Sequence, residues 1–139
     1  MTQEDKKLLL KDLCARLPYG VKAQVKYPIN TNGECIITTK EITSVNYGLD
    51  MVQTENIDII VGYYIFEVKP YLFPLSSMTE EQKKEFDQLF EIELKAINDE
   101  IDPMRATEFE VDFYNKHHFD WRGLIPMGLA NDATGLNIY

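Results

Sequence analysis

Between Val21 and Val68 apolar residues recur at every second position over long stretches, and that alternation most limits the folds open to this chain. Val21, Ala23, Val25 and Tyr27 alternate with Lys22, Gln24 and Lys26, the pattern of a strand with one face buried and one wet. Pro28 to Gly33 follows as a loop, with Asn32-Gly33 as its turn signal. Cys35 to Thr39 and Ile42 to Tyr47 are β-branched and predict a second and a third strand, the latter closed by Gly48. Leu49 to Gln53 predicts a weaker fourth. Ile57 to Val68 predicts the fifth, with apolar residues on both faces and Gly62 available for a bulge. Five short strands in so short a span predict a small, strongly curved antiparallel sheet or an SH3-like partial barrel.

Helices flank the sheet. Residues 2 to 17 carry a capping box, Thr2 with Asp5, and an apolar stripe of Leu10, Leu13, Cys14 and Leu17, stopped by Pro18 and Gly20. Lys69 to Pro74 reads as an extended crossing segment, because its two prolines remove backbone donors. Thr79 with Gln82 opens a second helix whose stripe is Phe86, Leu89, Phe90, Leu94, Ile97 and Ile101, ending at Asp102-Pro103. Thr107 with Glu110 opens a third, carrying Val111 and Tyr114. His117 to Tyr139 reads as short helix and loop, with Leu136, Ile138 and Tyr139 docking the tail. The expected architecture is one α+β domain over residues 1 to 139: an N-terminal helix, the curved sheet, then C-terminal helices packed on it. A chain of this length buries about two-thirds of its surface, enough for a core without disulfides.

Charge narrows the partners. The chain carries −9 overall, and Thr79 to Asp112 holds 12 acidic residues against four basic ones. Residues 1 to 27 are basic on balance. Such a chain lacks the footprint of a direct nucleic-acid binder. The acidic helix is either a solvated face, or a surface that docks a basic partner or imitates a phosphate backbone. No apolar run reaches the roughly 20 residues of a membrane helix, and the polar start Met1-Thr2-Gln3-Glu4-Asp5 is no signal peptide. Cys14 and Cys35 stand in no CxxC spacing and read as two reduced, buried thiols of a cytoplasmic protein.

Residues able to carry chemistry are few. His117, His118 and Asp120 are conceivable metal ligands, but adjacent side chains on a helix point about 100° apart, so a packed or capping pair is expected, with no metal or cofactor. Ser76-Ser77 lies in no nucleophile elbow, and no Gly-Lys-Ser/Thr follows Gly123 to Gly128. The acids follow solvent positions of a helix. A non-enzymatic protein is therefore expected. A small hydrolase or metal-dependent enzyme stays as an alternative, requiring a concave pocket with His117, His118 or paired buried acids. The aromatics Tyr63, Tyr64, Phe66, Tyr71, Phe73, Phe109, Phe113, Tyr114, Phe119 and Trp121 are expected to seal the sheet against the C-terminal segment, the other reading being a peptide groove. The candidate interaction surface is Trp121 and Arg122 as anchors, with Tyr71, Phe73, Glu80, Glu81 and Glu91.

Three stretches, MTQEDKKLLLKDLCARLPYGVK at Met1 to Lys22, KPYLFPLSSMTEEQKKEF at Lys69 to Phe86 and FYNKHHFDWRGLIPMGLANDATGLNIY at Phe113 to Tyr139, resemble an uncharacterised family of short proteins from gut Bacteroidales genomes and their phages or prophages. The resemblance implies a cytoplasmic, mobile-element setting and supplies no activity. The expected function is a phage- or prophage-type accessory or adaptor protein acting through protein–protein contacts, with self-association open. The alternative is an acidic mimic that occupies a DNA- or RNA-binding protein.

Overall fold

The computed structural model describes residues 1–54, 61–95 and 103–139. The first helix, α1 (Gln3–Arg16), begins where the capping box places it. Thr2 Oγ1 accepts the Asp5 amide at 3.0 Å, and the Asp5 carboxylate accepts the Thr2 amide at 2.9 Å. Those bonds to Thr2 hold the Asp5 carboxyl below its usual range. A 3-10 turn at Leu17–Tyr19 and a left-handed Gly20 (φ 70°) then end the helix.

The buried face of α1 is Leu9, Leu10, Leu13, Asp12 and Arg16. The expected stripe is therefore wrong at Cys14, which is exposed, as is Cys35. Both thiols were expected inside. The helix turns Arg16 inward instead, because that guanidinium finds acceptors there.

The strands are β1 (Lys22–Pro28), β2 (Cys35–Asn46), β3 (Met51–Thr54), β4 (Val61–Tyr64), β5 (Val68–Leu72) and β6 (Asn131–Asp132). They form one open, mixed sheet in the order β4-β3-β2-β1-β5-β6. All neighbours are antiparallel except β5 and β6, which run parallel, so the expectation of a wholly antiparallel sheet is corrected there. The second and third expected strands are a single strand, β2. Lys40 and Glu41 do not break it, because they pair with Ala23 and Lys22. The irregularity falls between Ile42 and Ser44, not at Gly62. A Cβ at Gly62 would stand 2.7 Å from Met51 Cε, the movable end of a flexible side chain.

Lys69 to Leu72, expected as a crossing segment, belongs to β5. Pro70 is tolerated because it opposes Ala23 in a pair whose ladder bonds are made by the neighbouring residues, and β6 begins its pairing only at Tyr71. A 3-10 turn at Ile65–Glu67 separates β4 from β5. Within the expected fifth strand, Tyr63 and Ile65 are buried while Tyr64 and Phe66 are exposed, and after the 3-10 turn Val68, expected on the face of Tyr64 and Phe66, is buried in the core. Ile57 to Ile60 lie outside the described residues.

The core joins Leu9, Leu10 and Leu13 of α1 to Val21, Ala23, Val25, Ile42, Val52, Ile65, Val68 and Leu72 of the sheet, closed by Leu124, Leu129 and Ala130. Two further helices, α2 (Glu80–Lys95) and α3 (Pro103–Lys116), pack through aromatic rings, with Phe86 lying 5.4 Å from Phe109 and 5.1 Å from Phe113. Thr79 and Gln82 cap α2 reciprocally. Helix α3 starts one turn earlier than expected, at Pro103, since proline suits a first helical turn. Thr107 Oγ1 bonds back to the Pro103 carbonyl at 3.0 Å instead of capping. Ile97, Ile101 and Asp102 lie outside the described residues.

Candidate interaction surfaces

Arg16 and Asp12 are fully buried and bonded to each other. Arg16 Nε donates to Asp12 Oδ2 at 2.7 Å, Nη2 donates to Asp12 Oδ1 at 3.1 Å, and Nη2 also reaches the Phe119 carbonyl at 2.8 Å. Arg122 Nε donates to Asp12 Oδ1 at 3.1 Å, and its guanidinium lies 3.9 Å over the Trp121 ring. Trp121 Nε1 donates to Asn115 Oδ1 at 2.9 Å. The anchor pair expected from sequence is thus a half-buried brace, fixed from α1 and from α3. Sequence reasoning missed Arg16 and Asp12, the charged pair beneath it. Their four-residue spacing on a helix was the available signal.

The histidines separate. His117 Nε2 meets Glu85 Oε1 at 3.3 Å. His118 turns inward at φ 60° and stacks on Tyr139 at 3.6 Å. Burial, then the nearby Arg16, His117 and Lys22, lowers the His118 pKa to about 4. Asp120 caps the next turn, accepting the Leu124 and Ile125 amides at 2.7 and 2.8 Å. Among the described residues no three His, Cys, Asp or Glu side chains converge on a metal position.

Tyr71 and Phe73 also serve the tail. The Tyr139 hydroxyl donates to the Tyr71 carbonyl at 2.9 Å and accepts the Lys22 amide at 3.0 Å, and its ring lies 6.0 Å from Phe73. Although Tyr139 is 42% exposed, its hydroxyl sits at the β1–β5 seam, and burial pushes its pKa up to about 12. Phe73 exchanges backbone bonds with His118 and Asp120. The docked tail expected from its apolar residues is present at Ile138 and Tyr139, while Leu136 is exposed.

Glu80, Glu81 and Glu91 are exposed on α2. Lys83 Nζ bonds Glu80 at 2.9 Å, and Lys116 Nζ lies 3.7 Å from Glu85, so cations interrupt this run of carboxylates. A groove of about 280 Å³ between α2 and α3 has Tyr19, Phe109 and Phe113 in its wall, with Glu108 and Asp112. Neither histidine lines it, and both acids are exposed.

A run of exposed residues rich in large apolar side chains lies elsewhere. Every residue from Lys26 to Ile37 is exposed, and Tyr27, Ile29, Ile36 and Ile37 are each more than half so. The cause is the register. Among the described residues, β5 pairs with β1 only at Ala23 to Val25, and β3 with β2 only from Ile42. Between those limits, among the described residues, β1 and β2 run as a two-stranded arm. A second exposed apolar feature, the Tyr64–Phe66 stack (centroids 5.5 Å apart), follows β4.

No helix among the described residues is long and apolar enough to cross a membrane. Comparison of the chain with protein-family models, with characterised proteins and with solved structures finds no match.

Proposed function

We propose that this chain is a cytoplasmic, non-enzymatic accessory or adaptor protein of phage or prophage type that works by binding another protein, with the β1–β2 arm as its contact surface. One observation carries the reading: the arm leaves the body with Tyr27, Ile29, Ile36 and Ile37 uncovered. A two-stranded hairpin is marginal in water by itself, and the apolar patch of Tyr27, Ile29 and Ile36 on one face of it, with Ile37 on the other, gains from being covered. Cations interrupting the α2 carboxylates give the acidic-mimic reading less support than the arm receives. A curled, SH3-like sheet behind the arm is supported by the approach of β1 to β4. Their Cα atoms come within 8 Å although β2 and β3 stand between them, where a flat sheet would hold them about 14 Å apart.

The test is capture from the native host's lysate with three baits: the wild-type chain, a Tyr27→Ser/Ile29→Ser arm variant, and a Glu80→Lys/Glu81→Lys helix variant. The reading expects a protein retained by the wild-type and helix baits and reduced about tenfold or more on the arm variant, a loss of about 1.4 kcal/mol or more. Capture unaffected by the arm substitutions overturns it.

A further inference from the structure

We infer that Asn32 is a site of spontaneous covalent modification, at which the Gly33 backbone nitrogen attacks the Asn32 carboxamide and converts it, through a succinimide, to aspartate or isoaspartate. Asn32 is the only one of the eight asparagines followed by glycine. Ring closure needs the Gly33 nitrogen to reach Asn32 Cγ. A side chain on the following residue obstructs that approach, and a hydrogen bond at either group opposes it. Both residues lie at the tip of the β1–β2 arm and both are exposed. Among the described residues, neither the Asn32 carboxamide nor the Gly33 N–H has a hydrogen-bond partner. A Cβ built at Gly33 (φ 85°) meets nothing within 4 Å, so no described neighbour confines the turn. Residues 55–60 do not reach it. Thr54 pairs with Val61, so the six residues between them extend at most about 13 Å past that pair. The loop begins beyond Cys35, which is seven residues, about 22 Å, along β2 from Ile42.

The bonds that shape the loop stop short of the reacting groups. The Ile29 amide donates to the Glu34 carbonyl at 2.9 Å, and Asn30 Oδ1 accepts the Asn32 amide at 3.0 Å and the Glu34 amide at 3.4 Å. They fix the ends of the turn and leave the Asn32 side chain and the Gly33 nitrogen to find each other, an intramolecular encounter with little entropy to lose. The step balances without an oxidant or reductant. A base removes the Gly33 amide proton, the nitrogen forms a bond to Asn32 Cγ, and the Cγ–Nδ2 bond breaks, with ammonia leaving once its nitrogen has taken up a proton. Water then opens the ring. Cleavage at Cγ gives aspartate; cleavage at the main-chain carbonyl gives isoaspartate, whose backbone runs through Cβ and Cγ and is one atom longer between β1 and β2. Either product adds one negative charge near Glu34 to a chain that already carries −9. The reaction requires no partner, so the inference stands or falls apart from the adaptor reading.

The experiment ages the full chain at neutral and mildly alkaline pH. Peptide mapping by mass spectrometry locates the change from amide to acid, and an isoaspartyl methyltransferase with labelled S-adenosylmethionine counts isoaspartate. Conversion at Asn32 should be about tenfold or more faster than at any other asparagine, and should quicken with hydroxide. Because the tip is as free as unfolded chain, the rate in the folded protein should lie within about threefold of that in guanidinium chloride. Asn32→Gln, which would have to close a larger ring, should leave the loop unmodified. Gly33→Ala should slow the conversion about tenfold or more, and both variants should keep the wild-type far-ultraviolet dichroism. Conversion at Asn32 no faster than at the other asparagines, or slowed by folding beyond that threefold margin, overturns the inference.

Discussion

Lowering the pH should destabilise the protein through His118 in a calculable window. His118 is 8% exposed and stacked on Tyr139, and its Nδ1 has no hydrogen-bond partner among the described residues. Its pKa falls from 6.5 to about 4 on folding, first because burial disfavours the imidazolium and then because Arg16, His117 and Lys22 repel it. Above 6.5 neither state holds the proton. Between 6.5 and about 4 the unfolded chain binds it and the folded one does not, so stability drops as pH falls. Below about 4 both states are protonated and the loss levels off. At about 1.4 kcal/mol per pH unit the full effect is about 3 kcal/mol, of which about 2.5 is lost by about pH 4.5. Urea unfolding followed by Trp121 fluorescence, at steps from about pH 7 to about pH 4.5, should be compared with His118→Asn. Asparagine tolerates the 60° φ and does not titrate. Carboxylates titrate in both proteins, so the difference between the two curves isolates the imidazole. Wild type should lose about 2 kcal/mol more than the variant across that range. Parallel curves would refute the burial argument.

Asp12→Ala should cost about 3–5 kcal/mol by urea midpoint, because it strands the buried Arg16 guanidinium. Asp12→Leu with Arg16→Met should recover most of that, and a double variant as unstable as the single one would contradict the account. Asp120→Ala should cost about 1–3 kcal/mol and speed amide exchange at Leu124 and Ile125, whose donors it leaves unpaired. Both Cys14 and Cys35 should react with a thiol reagent without denaturant, and protection of either would contradict its exposure.

What the sequence discloses is what neighbours in the chain decide. The capping boxes at Thr2 and Thr79 were legible because each closes over three residues. The strand alternation at Val21 to Val25 was legible because one face of that strand is buried and the other is not. The burial of Arg16 was not, because although its spacing from Asp12 is local, the carbonyl that receives it inside belongs to Phe119, 103 positions away. Neither was the continuity of β2, since Lys40-Glu41 reads as a break until β1 is laid beside it. Pro70 misled for the same reason: whether a missing donor matters depends on which way that nitrogen faces. Of the candidate surface, Trp121 and Arg122 were found by residue type, whereas the arm is recognised by the exposure of every residue from Lys26 to Ile37, which follows from long-range pairing.

The bonds from Arg16 to Phe119 and from Arg122 to Asp12 span 103 and 110 residues. A chain emerging from the ribosome completes α1 early, yet the ions on its inner face wait for residues 119 to 122. Until then α1 has its leucines and its charges on one side, without the groups that make this burial tolerable. Full seating of α1 should therefore await residues 119 to 122, a closure over most of the chain. A fragment cut after α2 should hold α1 only loosely.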